Sequence, residues 1–132
     1  MESIYEFYYH KTIVTLRINQ INEELDRILE ADSFSTYSFI TANNPKSMRL
    51  KSSENKQRNL ELEKILIDKQ FIYYSGLGYS QDMAWKEESF CIFGISLIDA
   101  KELGSQFGQN AILFGEIKKY PELVILDSKI IL

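Results

Sequence analysis

The sequence predicts one α/β domain of the α+β kind, with three helices interleaved among the strands of a single mixed, layered sheet. Three observations carry that expectation. Apolar runs of strand length alternate with stretches whose leucines and isoleucines recur at helical spacing. The chain's 132 residues suit a single globular domain, 1–132. Two apolar runs close the chain around a short turn, and such a hairpin demands an antiparallel pair inside an otherwise alternating α/β pattern.

The elements follow in order. Residues 11–18 are rich in β-branched side chains and partly alternate, which predicts a strand. Ile21, Leu25, Ile28 and Leu29 then fall at helical spacing, with Glu23 and Glu24 placed to offset the helix dipole. Asn19 or Asn22 is the expected cap. Residues 37–42 predict a short strand that stops at Asn43-Asn44-Pro45, because proline lacks a donor and restrains the residue before it. A polar loop over 46–51 leads to a second helix, capped by Ser52 or Ser53 and running to about Lys69.

Residues 70–74 predict a strand that ends in a turn at Gly76-Leu77-Gly78. A polar loop over 79–86 precedes residues 89–95, apolar on both faces and therefore a central strand covered on both sides. Ser96-Leu97-Ile98-Asp99 is a capping box with aspartate in place of glutamate. The helix it opens turns Ala100, Leu103 and Phe107 inward and ends at Gly108, which accepts a left-handed conformation. Residues 111–115 and 123–126 are the closing strands. The expected order is β-α-β-α-β-β-α-β-β, a sheet of about five to six strands; strand order in space does not follow from it.

Composition removes several functions. One cysteine excludes an internal disulfide, and Cys91, inside Phe90-Cys91-Ile92-Phe93, reads as a small buried apolar residue. With a single histidine, His10, a Cys/His metal site is excluded; a site built only from carboxylates stays open, and no metal is assigned. Gly76-Leu77-Gly78 is followed by Gln81 where a dinucleotide fingerprint needs its third glycine, so no cofactor is expected. The N-terminus lacks the pattern of a signal peptide, and no apolar run approaches the ~18 residues of a membrane span. A cytoplasmic protein is the expectation. A net charge of −4 argues against a general nucleic-acid binder.

The second helix is the most informative element. Its apolar stripe of Leu62, Ile65 and Leu66, extended backwards at the same spacing, reaches Arg58, Asn59 and Asn55. Polar groups buried there without partners would cost about 1–3 kcal/mol each. Lys46, Arg49, Lys51, Lys56 and Arg58 crowd the same region against one acid, Glu54. Either these groups grip an anion at the helix start, or the amide and guanidinium groups tie down the loop over 43–53 while the lysines stay solvated. Glu87 and Glu88 point to opposite faces of a strand and cannot act as an acid/base pair; Glu88 is expected to pair with Arg58 or Arg49. Trp85 is a packing lid or a stacking platform. Gln109 and Asn110 either bond the turn backbone or line a polar pocket.

These residues also carry a resemblance. Phe39-Ile40-Thr41-Ala42-x-Asn44-Pro45, Glu54-Asn55-x-x-Arg58-Asn59-x-x-Leu62, Gly76-x-Gly78, Trp85-x-x-Glu88-Ser89-Phe90, Gly94-Ile95 and Phe107-Gly108-Gln109-Asn110-Ala111 resemble a bacterial family catalogued as domain of unknown function 3293. The likeness runs from about Tyr37 to Leu126. Asn43 stands where an aromatic residue is more usual, and Phe114 where tryptophan is common. The resemblance implies no activity. It does mark Asn44, Asn55, Arg58, Asn59, Glu88, Gln109 and Asn110, which lie on several loops and element ends as pocket residues often do.

Three readings follow. In the first, Asn44, Arg49, Asn55, Arg58 and Asn59 bind a small phosphate- or nucleotide-like anion, Trp85 closes over it, and Glu88, Gln109 and Asn110 complete the site. In the second, a hydrolase or transferase acts on a phosphorylated substrate, with Glu88 as general acid/base and Arg58 stabilising developing charge. In the third, the chain is a protein-interaction or inhibitor module, or a homodimer, using Tyr5-Glu6-Phe7-Tyr8-Tyr9 and the apolar end Ile130-Ile131-Leu132.

Overall fold

A computed structural model describes residues 2–126. The elements are β1 (Ser3–Tyr9), β2 (Thr12–Arg17), α1 (Glu23–Ala31), β3 (Thr36–Ile40), α2 (Ser52–Asp68), β4 (Ile72–Ser80), β5 (Lys86–Phe93), α3 (Leu97–Gln106), β6 (Ala111–Glu116) and β7 (Glu122–Ile125). A single 3-10 turn, Pro45–Ser47, lies between β3 and α2. The apolar end at 130–132 lies outside the described residues.

The three helices of the expectation stand, but the sheet differs from it in two ways. It has seven strands among the described residues, ordered β2-β1-β4-β5-β3-β6-β7, and every neighbouring pair is antiparallel. The added strand is β1. Tyr5, Phe7 and Tyr9 share one of its faces and Glu6 and Tyr8 the other, and His10 turns the chain with φ of 53°. Helices joining strands suggested parallel neighbours. The helix-linked strands do run parallel, yet another strand is inserted between them: β5 separates β3 from β4, and β3 separates β5 from β6.

One hand for all helical crossovers would put α2 and α3 on one side of the sheet and α1 on the other. The cores have that composition. Leu62 and Leu66 of α2 and Ala100 and Leu103 of α3 pack with Ile40, Phe90, Ile92 and Ile112. Leu25 and Leu29 of α1 pack with Phe7, Phe39, Cys91 and Phe93. β5 feeds both clusters, so it is the central, doubly covered strand that its sequence suggested.

Helix ends obey local chemistry in two cases of three. Asn22 Oδ1 accepts from Leu25 N at 2.9 Å, and Ser96 Oγ accepts from Asp99 N at 3.1 Å. At α2, Ser52 and Ser53 are not caps: Lys51 holds the cap position, and no side chain bonds the free amides there. Gly108 leaves α3 with φ of 69°. Gly76 and Gly78 lie inside β4 rather than in a turn. A methyl group on Gly76 would sit 2.4 Å from the Glu6 carbonyl of β1, so glycine allows the close approach of the two strands.

Candidate functional site

The loop from Ala42 to Leu50 connects β3 to α2, and the first turns of α2 hold it. Asn59 Oδ1 accepts from Ala42 N at 2.9 Å, while its Nδ2 donates to Asn43 Oδ1. Asn55 Oδ1 accepts from Asn44 N, and Asn55 Nδ2 donates to Asn44 Oδ1, both at 2.9 Å. Asn44 Oδ1 also accepts from Leu50 N at 2.9 Å. Asn44 sits in the left-handed region, φ 46°, which asparagine tolerates better than most residues.

Arg58 reaches further. Its Nε donates to Ala42 O at 2.7 Å and its Nη2 to Phe107 O at 2.5 Å. It thereby joins the end of β3 to the end of α3, where a carbonyl lacks a helical partner and a cation is favoured. The expected ion pair from Arg58 to Glu88 is replaced by these carbonyl contacts. Asn55, Arg58 and Asn59 are thus engaged by their own chain.

Strand alternation divides the remaining residues between two concavities. Across the sheet, Glu6, Leu77 and Glu88 are in register on the α2 side, and Tyr5, Gly78 and Glu87 on the other. On the α2 side a groove of about 430 Å³ is lined by Arg49, Ser52, Asn55, Lys56, Lys86 and Glu88, among others. A second depression of about 440 Å³ continues it along α2, sharing Lys56, Leu77, Lys86 and Glu88.

On the opposite side, a pocket of about 320 Å³ is bounded by Tyr5, Asn44, Trp85, Glu87, Gln109 and Asn110. Trp85 therefore does not close over the start of α2. Its ring stands edge-on to Tyr5, with centroids 6.3 Å apart, above Gly78. A Cβ at Gly78 would meet Trp85 at 3.0 Å and Tyr5 at 3.3 Å. Asn44 Nδ2 donates to Glu87 Oε2 at 3.2 Å, Gln109 Nε2 donates to Asn43 O at 2.9 Å and to Phe107 O at 3.3 Å, and Asn110 Nδ2 donates to Ser47 Oγ at 2.7 Å.

Burial pushes the Glu87 carboxyl above the usual glutamate range, against the pull of the Asn44 amide and the Trp85 indole. Burial, and then the nearby Glu87 charge, also raise the Tyr5 hydroxyl. Glu87 and Tyr5 are the lining residues that sequence reasoning missed. Alternation gave Glu87 and Glu88 opposite faces, but only the register with β4 says which concavity each of them borders. Among the described residues, no three His, Cys, Asp or Glu side chains come close enough to hold a metal ion. No described helix is long and apolar enough to cross a membrane.

A family model described as "Protein of unknown function (DUF3293)" matches residues 40–112, more than half of the chain. The matched span runs from the end of β3 into β6; it includes Asn44, Trp85, Glu87, Gln109 and Asn110 but not Tyr5. No curated protein and no solved structure gives a match.

Proposed function

The chain belongs to the DUF3293 family, described only as proteins of unknown function, and from that premise we propose that it is a binding module for a small anion. The anion, phosphate- or nucleotide-like, enters the groove between the start of α2 and the β4–β5 pair. One observation carries this reading: Arg49, Lys56 and Lys86 border one concavity at a helix start whose free amides have no side-chain cap. The helix dipole and the three cations act with the same sign there. Glu88 is the carboxylate on that wall, which favours a ligand carrying hydrogen-bond donors besides its anionic group, as a nucleotide does.

In this reading Asn44, Asn55, Arg58 and Asn59 have a positioning role. Their contacts to the loop backbone fix the groove's rim and engage the side-chain oxygens of Asn44, Asn55 and Asn59 and the Nε and Nη2 of Arg58. The test is a thermal-shift series with inorganic phosphate, pyrophosphate and ADP. At ~100 times its dissociation constant a ligand adds about 2.7 kcal/mol, a shift of several degrees for a domain this size. Lys56→Ala combined with Lys86→Ala should abolish the shift without lowering the melting temperature of the free protein. A shift that survives both substitutions would place the anion elsewhere, and no shift with any of the three would refute the reading.

A protein-interaction module is the second reading. Tyr8 and Ile13, cross-strand partners on the part of the sheet that α2 leaves bare, are both exposed. The hydrolase or transferase reading rests on Glu88, which is exposed, and gains no further support from the geometry.

A further inference from the structure

The pocket on the far side of the sheet differs from the groove in sign and in material. Its boundary carries one carboxylate, Glu87, and no lysine, arginine or histidine among the described residues. Two of its walls are the rings of Tyr5 and Trp85, kept on the sheet surface by the missing side chain of Gly78. Both hydrogens of Gln109 Nε2 go to carbonyls, of Asn43 and Phe107, so Gln109 has only an acceptor oxygen left to offer a ligand. The Asn110 amide donates one of its two hydrogens, to Ser47 Oγ. The carboxylate, the Gln109 amide oxygen and the two aromatic rings are complementary to a positive ligand that donates hydrogen bonds.

We propose that this pocket binds a small organic ammonium ion, held by the Glu87 carboxylate and the faces of Tyr5 and Trp85. A metal ion fits poorly, since hard cations need six or more oxygen ligands or a carboxylate cluster, and Glu87 is the single acid on this pocket among the described residues. The pocket, about 320 Å³ with a smaller recess of about 70 Å³ lined by Phe39, Leu113 and Leu123 together with Thr41, Ser89 and Gln109, suits an amine carrying one small apolar group. The ammonium lies at Glu87 and the apolar group enters the recess. Asn44 connects this site to the other face, because the amide that donates to Glu87 accepts through its oxygen from Leu50 and Asn55.

Trp85 is the chain's single tryptophan, so its fluorescence reports on the pocket directly. The full chain is titrated with phenethylammonium and, separately, with phenylacetate, which has the same ring and the opposite charge. The ammonium should give a saturable change and phenylacetate none. Glu87→Gln, which keeps the acceptor for Asn44, should weaken the ammonium about tenfold or more, while Lys56→Ala in the anion groove should leave it unchanged. Equal binding of phenylacetate, an unaltered affinity in Glu87→Gln, or no saturation at millimolar concentration would overturn the proposal. Should Glu87→Gln fail to fold, amide and indole NMR shifts of the unmodified protein decide. Shifts at Trp85, Gln109 and Asn110 support the site, and shifts confined elsewhere refute it.

Discussion

Asn44 Nδ2 donates to Glu87 Oε2 at 3.2 Å, and through that bond a loop residue of the α2 side holds a carboxylate of the opposite face. In β5, Glu87 pairs with Gly78 of β4, while β3 on the other side reaches only as far as Phe90, and the Asn44 amide and the Trp85 indole hold its carboxylate there.

The burial of Glu87 has a pH consequence that the Asn44 bond only partly offsets. Burial raises the Glu87 carboxyl in the folded state. The unfolded chain then ionises first as pH rises above the ordinary glutamate value of about 4.3, and stability falls until the raised folded value is passed. Glu87→Gln removes that loss. It should be more stable than the parent at neutral pH, with the difference fading below about pH 4. Urea unfolding at both pH values checks this; a variant less stable at neutral pH would contradict it.

Arg58 should matter for stability more than for any ligand. Its two charged donors satisfy Ala42 O and Phe107 O, at 2.7 and 2.5 Å. Removing them should cost about 2–3 kcal/mol, whereas exposed Lys56→Ala should stay within about 0.5 kcal/mol. Denaturant melts of both variants separate the two roles.

Asn59 is buried with both ends of its amide engaged. Asn59→Leu leaves the Ala42 amide without its acceptor and should destabilise by about 1–3 kcal/mol. Asn59→Asp keeps that acceptor but buries a carboxylate against the Asn43 side-chain oxygen, so it should destabilise in the same melts as well.

Gly76→Ala should be disruptive, because the new methyl would press against the Glu6 carbonyl at 2.4 Å, a backbone atom that cannot swing aside. Parting β1 from β4 should cost at least the roughly 1–3 kcal/mol of an overpacked core. Faster hydrogen exchange across β1 would accompany the loss of stability, and an unaltered exchange pattern would count against this account.

Cys91 is fully buried in β5, and burial raises its thiol well above the ordinary range. A thiol-specific reagent at neutral pH should therefore react only as fast as the protein opens, and at once in denaturant. Rapid modification of the native protein would contradict the central place of β5.

Much of this was legible from residues alone. The caps Asn22 and Ser96 were, because a short polar side chain next to a helical stripe acts locally. So was β5, whose run of apolar residues on both faces has no place but the middle of a sheet. β1 was not: its turn is built on His10, in a left-handed conformation that glycine or asparagine would have signalled. The role of Gly76 and Gly78 was also hidden, since two glycines read as a turn until a neighbouring strand and two rings are placed against them.

The sequence by itself determined the helices, the two-sided core and the family, and it singled out the polar residues around Asn44 and Arg58. Those depend on periodicity, capping and motif spacing, which act over a few residues. Tertiary structure decided the rest. Inserting β5 between β3 and β4, and β3 between β5 and β6, made every neighbouring pair antiparallel. The register of β4 with β5 then sent Glu87 and Glu88 to different concavities. The strand order rests on pairing between segments distant in the chain, and the two faces rest on register, where shifting a strand by one residue exchanges them.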